Sequence, residues 1–267
     1  MKNNMENKNE LTVIIPVHKP DVELLKNSIK SVENQKVLPD NLMFVVNSVE
    51  DNKIVNELTT EISKKIAVKT IKHDKNTNVQ SQLNIGVENC ETKWFIFLEQ
   101  DDELATIWVD NVIKYRNDSP DVKIFLPMVL DVTPKNEFLN FTNEAVWASQ
   151  FSDELGILDN AALLRYQNFN IDGMAVEVES YKEFGGLKES IKLSFIYEFL
   201  LRMTYNPCKI KVIPKLGYKH VNDREGSLFN SYKNELTVEE SEWWLSLAKK
   251  EYFHISDRGI LYEKKND

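Results

Sequence analysis

The 267-residue sequence has little cysteine, no excess of basic residues and no long apolar run. Two cysteines, Cys90 and Cys208, make no disulfide framework, and neither sits in a CxxC or Cys/His cluster. Both read as reduced thiols of a reducing compartment. Lys and Arg number 33 against 42 Asp and Glu, which leaves a net charge of −9. That balance argues against an extended nucleic-acid or anionic-membrane surface. The opening MKNNMENKNE has no apolar h-region, so it does not read as a secretory signal. No run approaches the ~18 apolar residues of a membrane span. The chain therefore reads as soluble and cytoplasmic. No internal repeat, low-complexity tract or linker divides it. With 42% hydrophobic and 28% charged residues it can bury a substantial core, which excludes disorder as its main state.

What is present alternates between two periods. Leu11–Val17 (LTVIIPV) is a short β-branched run suited to a strand buried on both faces, with Pro16 near its end. Asp21 can cap a helix over Val22–Gln35, where Leu24, Leu25, Ile29 and Val32 fall at helical spacing. A strand at Leu42–Val46, a helix over Lys53–Lys65 and a strand at Ala67–Ile71 follow. After the polar stretch Lys72–Asn78 comes a helix over Gln80–Asn89. Trp94–Leu98 is the most apolar strand, and it runs into Glu99-Gln100-Asp101-Asp102-Glu103. Such alternation predicts βαβ units and a parallel sheet.

Beyond residue 103 the pattern predicts a helix over Ala105–Asn117 and a strand over Val122–Val129, then a mixed stretch at 131–170. Val176–Phe184 precedes Gly185-Gly186, Ile191–Tyr205 reads as a helix and Lys209–Ile213 as a strand. In the tail, Val238–Phe253 sets Trp243, Trp244, Leu247 and Tyr252 at helical spacing. This stripe reads as a packing or homodimer-forming face rather than a membrane anchor.

Ligands of parallel sheets bind outside the carboxyl ends of the strands. Three such ends are polar here: His18-Lys19, Asn47-Ser48 and the acidic run at 99–103. Carboxylates one residue apart at a rigid strand end can chelate a hard cation such as Mg²⁺ or Mn²⁺, which in turn bridges phosphate oxygens. A solvated acidic turn is the plainer alternative.

Read in order, the elements resemble the family 2 glycosyltransferases of the GT-A fold over roughly residues 10–225. Thr12-Val13-Ile14-Ile15-Pro16-Val17-His18 resembles the family's opening strand. Asn76-Thr77-Asn78 with Asn84-Ile85-Gly86 resembles its Asn-x-Gly…Arg-Asn-x-Gly segment. Phe97-Leu98-Glu99-Gln100-Asp101-Asp102 stands where the family has its DxD motif. Tyr181–Leu187 resembles the segment ending in Gly-Gly-Phe, and Tyr218-Lys219-His220 the late segment that completes a metal site.

The resemblance implies an α/β, GT-A type fold: a Rossmann-like, mostly parallel sheet flanked by helices in a single domain at 11–225. Residues 11–104 would bind the nucleotide sugar and 105–225 the acceptor. A disordered N-terminus (1–10) and a C-terminal helical extension (226–267) would flank them. It also implies metal-dependent inverting transfer from a nucleotide-diphosphate sugar to an acceptor hydroxyl of a glycan, lipid-linked sugar or small molecule. Pro16, Val17, His18, Asn47, Asn84, Glu99, Gln100 and Asp101 would face the donor. Asp101, Glu99 and His220 would hold Mn²⁺ or Mg²⁺, and Gly185 and Gly186 would lie on the acceptor side. Lys219 and Arg224, flanking His220, could meet phosphate oxygens or serve as surface charges.

The chain also departs from the family pattern. Asn47-Ser48 replaces paired aspartates, Leu83 an arginine, and Asn78 a glycine whose left-handed backbone asparagine also tolerates. The family's catalytic Glu-Asp pair, counted back from Arg202, falls on Phe195-Ile196. The carboxylate of this helix is Glu198, either an offset general base or the i,i+4 partner of Arg202. Asp172 is a second base candidate, although Asp-Gly equally reads as a turn. A second function follows: a GT-A chain that binds a nucleotide sugar, or assists, without transferring. A nucleotidyltransferase would want a glycine-rich phosphate loop, and Pro16-Val17-His18-Lys19-Pro20 has no glycine.

Overall fold

In a computed structural model, the apolar run Leu11–Val17 is strand β1, and all seven of its residues are buried. The structure describes residues 10–75, 78–148 and 151–222, together with seven positions between 237 and 249. β1 lies between β2 (Asn41–Val46) and β4 (Trp94–Phe97), parallel to both, and β3 (Ala67–Lys72) adds in parallel outside β2. Its side chains alternate between two cores. Ile14 packs with Val45, Leu83 and Phe97 on one face; Val13 and Ile15 pack with Leu25, Val32 and Phe44 on the other. Burial on both faces is why the run is apolar throughout.

The connecting helices are α1 (Val22–Glu33), α2 (Val49–Leu58) and α3 (Val79–Glu88). Asp21 caps α1, accepting from the amides of Glu23 and Leu24. α2 starts four residues before the predicted Lys53, because the Ser48 hydroxyl accepts from the Asp51 amide and caps the helix there. Asn78, where the resemblance has glycine, caps α3 with an extended backbone (φ −72°), so no left-handed geometry is used.

The second half adds antiparallel strands. Its elements are β5 (Glu103–Leu104), α4 (Trp108–Asp118), β6 (Val122–Val132), β7 (Phe138–Thr142), β8 (Ile157–Leu158), α5 (Asn160–Arg165), β9 (Ala175–Glu177), α6 (Val178–Glu183), α7 (Phe195–Tyr205) and β10 (Lys209–Val221). The sheet order is β3-β2-β1-β4-β9-β6-β10-β5, with β7 on β6 and β8 on β10. β9 runs antiparallel to both β4 and β6, so it joins the two halves into one sheet. The predicted α/β fold with flanking helices stands, although the mixed stretch at 131–170 holds β7, β8 and α5, which periodicity does not reveal.

The largest difference is at β10. The strand does not end at Ile213; it continues to Val221 beside β6, with register shifts on both sides of Leu216. Pro214 cannot donate to the ladder, and the bulge lets pairing resume beyond it.

Among the described residues no helix is long and apolar enough to cross a membrane. In the tail, Lys249 lies 5.8 Å from the centre of the Tyr197 ring of α7. Asn76, Thr77, Arg224, Trp244, Leu247 and Tyr252 lie outside the described residues, as does most of the 226–267 extension.

Helix α3 sits on the sheet at Gly86, where an added Cβ would stand 2.7 Å from Ile14 Cγ2 and 3.2 Å from Val45 Cγ2. Both neighbours are stiff, buried β-branched residues. Gly86→Ala should therefore destabilise the fold by about 1–2 kcal/mol, although helix propensity alone favours alanine. Urea unfolding measures it, and a gain in stability would show that the packing yields.

Candidate active site

The acidic turn after β4 is held from three sides. Asp102 is 1% exposed. Its Oδ2 accepts from the Tyr218 hydroxyl at 2.9 Å and lies 3.0 Å from His220 Nδ1, while its Oδ1 accepts from the Val221 amide at 2.9 Å. Its carbonyl accepts from the Ser28 hydroxyl of α1 at 2.6 Å. The Tyr218 hydroxyl also accepts from the Glu99 amide at 3.1 Å. These partners reach the turn because β10 continues past its bulge and pairs with β5, setting Tyr218 against Leu104 and Lys219 against Glu103. Lys219 is ion-paired with Glu103.

Glu99, Asp102 and His220 each bring a ligand atom within 4.8 Å of the others. Asp172 Oδ2 lies 3.4 Å from His220 Nδ1 and accepts from the Asn170 amide group. Asp131, opposite His220 in the β6–β10 register, is 4% exposed. Desolvation and the neighbouring charges of Asp172, Asp102 and Asp101 push the Glu99 carboxyl well above the usual range. Burial, against the pull of His220, raises Asp172 to about 7. Burial also disfavours the charged form of His220, yet Asp102, Asp172 and Glu99 together push its ring up to about 11. A pocket with this excess of carboxylates around one imidazole suits a divalent cation, and carboxylate oxygens with one nitrogen suit Mn²⁺ or Mg²⁺.

The convergent set brings in a residue the resemblance does not name as a ligand. The resemblance singles out Asp101 for the metal, whereas Asp102 is the residue of the run that stands with Glu99 and His220. Asp101 is half-buried on the same turn. Two of the residues expected on the donor side have partners within the fold. Gln100 braces the end of β1, accepting from the His18 amide at 3.0 Å and donating to the His18 carbonyl at 3.1 Å. Asn84 faces the glycine loop: it donates to the Leu187 carbonyl, and its Oδ1 accepts from the Leu187 amide and the Tyr181 hydroxyl. Pro16 and Val17 are sheet residues whose partners are Val45 and Val46. His18 and Asn47 are half-buried at the strand ends; Asn47 donates to the His73 carbonyl at 2.7 Å. Gln82, which periodicity does not single out, donates to the carbonyls of Val17 and Val45, tying those two ends together.

Gly185 and Gly186 have φ of +90° and +57°, which an L side chain adopts only under strain, and they form the loop between α6 and α7. Arg202 donates to the carbonyls of Phe184 and Gly186 within that loop. It also donates from Nε to Glu198 Oε1 at 2.9 Å and from Nη2 to Oε2 at 3.1 Å. Glu198 is 0% exposed, with Lys188 3.4 Å away. Of the two readings of Glu198, the i,i+4 ion pair is the one present here, with Lys188 as a further partner. Asp172, the second base candidate, borders the carboxylate–histidine cluster through His220.

With that geometry established, a sequence profile described as Glycosyl transferase family 2 matches residues 12–159. The chain belongs to this family. The teichoic acid poly(glycerol phosphate) polymerase of Staphylococcus epidermidis is 31% identical over 100 residues, which is 37% of this chain and 14% of that one. Among solved structures, S. aureus TarS 1-349 in complex with UDP-GlcNAc matches with a TM-score of 0.64 at 15% identity, over 83% of this chain and 60% of that one. Mannosyltransferase PcManGT from Pyrobaculum calidifontis, in complex with GDP-Man and Mn²⁺, matches with a TM-score of 0.62 at 13% identity, over 84% of this chain and 59% of that one. The chain thus spans less than two thirds of each relative, and the two structural likenesses establish the fold.

Glu198→Gln leaves a buried guanidinium without its counter-charge and should lower stability by about 3–5 kcal/mol. Chemical denaturation reads this directly, and an unchanged midpoint would free Glu198 for another role.

Proposed function

We propose that the chain is a metal-dependent, inverting glycosyltransferase that uses a nucleotide-diphosphate sugar. The observation that carries this reading is the convergence of Glu99, Asp102 and His220 at the carboxyl end of β4, beside the ends of β1 and β2, in a family 2 chain. Glu99, Asp102 and His220 would hold the cation, with Asp101 of the same turn adding its charge. A bound divalent cation supplies positive charge against the leaving diphosphate. His18 and Asn47, at the strand ends, would meet the nucleoside, and the Gly185-Gly186 loop would let the backbone approach the donor sugar and the acceptor. That relatives of this fold hold UDP-GlcNAc, or GDP-Man with Mn²⁺, supports the donor class. The polymerase likeness makes poly(glycerol phosphate) an acceptor to test beside glycans, lipid-linked sugars and small-molecule hydroxyls.

One observation favours a second reading, a nucleotide-sugar-binding accessory chain. Phe195 and Ile196 occupy the place where the resemblance expects the catalytic carboxylates, and Glu198 is closed off.

A thermal-shift screen of nucleotides and nucleotide sugars, with and without Mn²⁺, tests the donor site, since a ligand of the native state raises Tm by mass action. A nucleotide-specific, Mn²⁺-dependent rise is expected, and His220→Ala should weaken the apparent Mn²⁺ affinity about tenfold or more. No rise with any nucleotide would overturn both readings. A rise without sugar release or transfer would favour the accessory one.

A further inference from the structure

On the reverse side of the strands that carry His220 lies a cleft of about 280 Å³, between α1, the β6–β7 turn and the end of β10. Asp131 and His220 are partners across β6 and β10, and the next pair along is Val132 and Val221. Side chains alternate along a strand, so the cation cluster takes one face and the cleft the other. The floor of the cleft is apolar: Leu24 of α1, Val132 and Val221. Two carboxamides also line it, Asn27 from α1 and Asn136 from the turn, and neither side chain makes a hydrogen bond among the described residues. The charged groups of its wall, Lys219 and Glu103, are paired with each other, so no unmatched charge lines the cleft. The apolar face runs on beyond it. Phe138 pairs with Val132 across β6 and β7 and so rises from the same face, and its ring lies 5.0 Å from that of Phe141. These two residues are 61% and 37% exposed. Clustered aromatic exposure beside a cleft marks a surface that meets a ligand.

We propose that this cleft binds a neutral sugar ring, at a site separate from the donor and the cation cluster. A pyranose is apolar on its C–H faces and polar around its edge. The floor and the Phe138–Phe141 pair would cover a ring face. The two carboxamides, each with an acceptor oxygen and two N–H donors, would take the edge hydroxyls. The volume stands near the lower limit of small-molecule sites, about 300 Å³, which suits one or two rings rather than a nucleotide sugar. The matched Lys219–Glu103 pair leaves an ionic ligand no counter-charge. The site does not rest on the transferase reading, since neither donor nor cation takes part in it.

The test is a titration of the ¹⁵N-labelled full chain in EDTA with N-acetylglucosamine, with methyl α-mannoside and, as a charged counterpart, with glucose 6-phosphate. Saturable shifts, with a Kd of about millimolar order, are expected with a neutral sugar at the side-chain amides of Asn27 and Asn136 and the backbone amide of Val221. Phe138→Ala should weaken this binding about tenfold and Asn27→Ala about fivefold; both residues are exposed, so the fold is kept. Asn136→Gly accepts the left-handed φ of +62° found there and should also weaken it. No saturable shift with either neutral sugar, shifts confined to residues outside the cleft, or unchanged affinity in both Phe138→Ala and Asn27→Ala would overturn the site. Tighter binding of glucose 6-phosphate would overturn the neutral class. Shifts at the amides of 138–141 on dilution without sugar would assign the face to a second copy of the chain and overturn the proposal. The nucleotide-sugar thermal shift, run in parallel, is independent: its failure sinks only the transferase reading, and failure here sinks only this site.

Discussion

Three segments distant in sequence meet at one carboxylate. The turn after β4 supplies Asp102, α1 supplies the Ser28 hydroxyl that holds its carbonyl, and β10 supplies Tyr218, His220 and the Val221 amide. A buried carboxylate that accepts from a hydroxyl and a backbone amide beside an imidazole is stable only while all of these stay in place. The rest of the site depends on this arrangement. Tyr218 also fixes the Glu99 amide, and His220 gathers Asp172 and Asp131 around the same charge. The long run of β10 beyond its bulge is what allows the meeting.

A second buried charge organises the other side. Glu198 and Arg202 are read in sequence as a helical i,i+4 pair, and surface pairs of that kind contribute little. Here the pair is enclosed, and the guanidinium spends its other donors on the Phe184 and Gly186 carbonyls. Asn84 holds the next residue of the same loop. The glycine loop is therefore clamped by α7 and α3 together.

The two halves of the site differ in chemistry. Around His220 carboxylates exceed cations, which fits a divalent ion and a diphosphate donor. At α7 a buried carboxylate is matched by Arg202 and Lys188, and the arginine holds the glycine loop in place.

Much was legible in the residues alone. The β-branched runs at 11–17, 42–46 and 94–98, the helical spacings between them and the polar strand ends determine a parallel αβ half with a ligand edge, since period and burial are local properties of the chain. The acidic turn after the most apolar strand determines where a cation would sit. Tertiary structure decided the rest. It turned the Asp102 carboxylate inward beside His220, because Tyr218, His220 and the Val221 amide of β10 hold it there. It set Glu198 against Arg202 in a closed pocket, because exposure depends on what packs above a helix and not on the helix itself. It also carried β10 past Pro214, because pairing with β6 and β5, which lie far away in sequence, outweighs the local signal to stop.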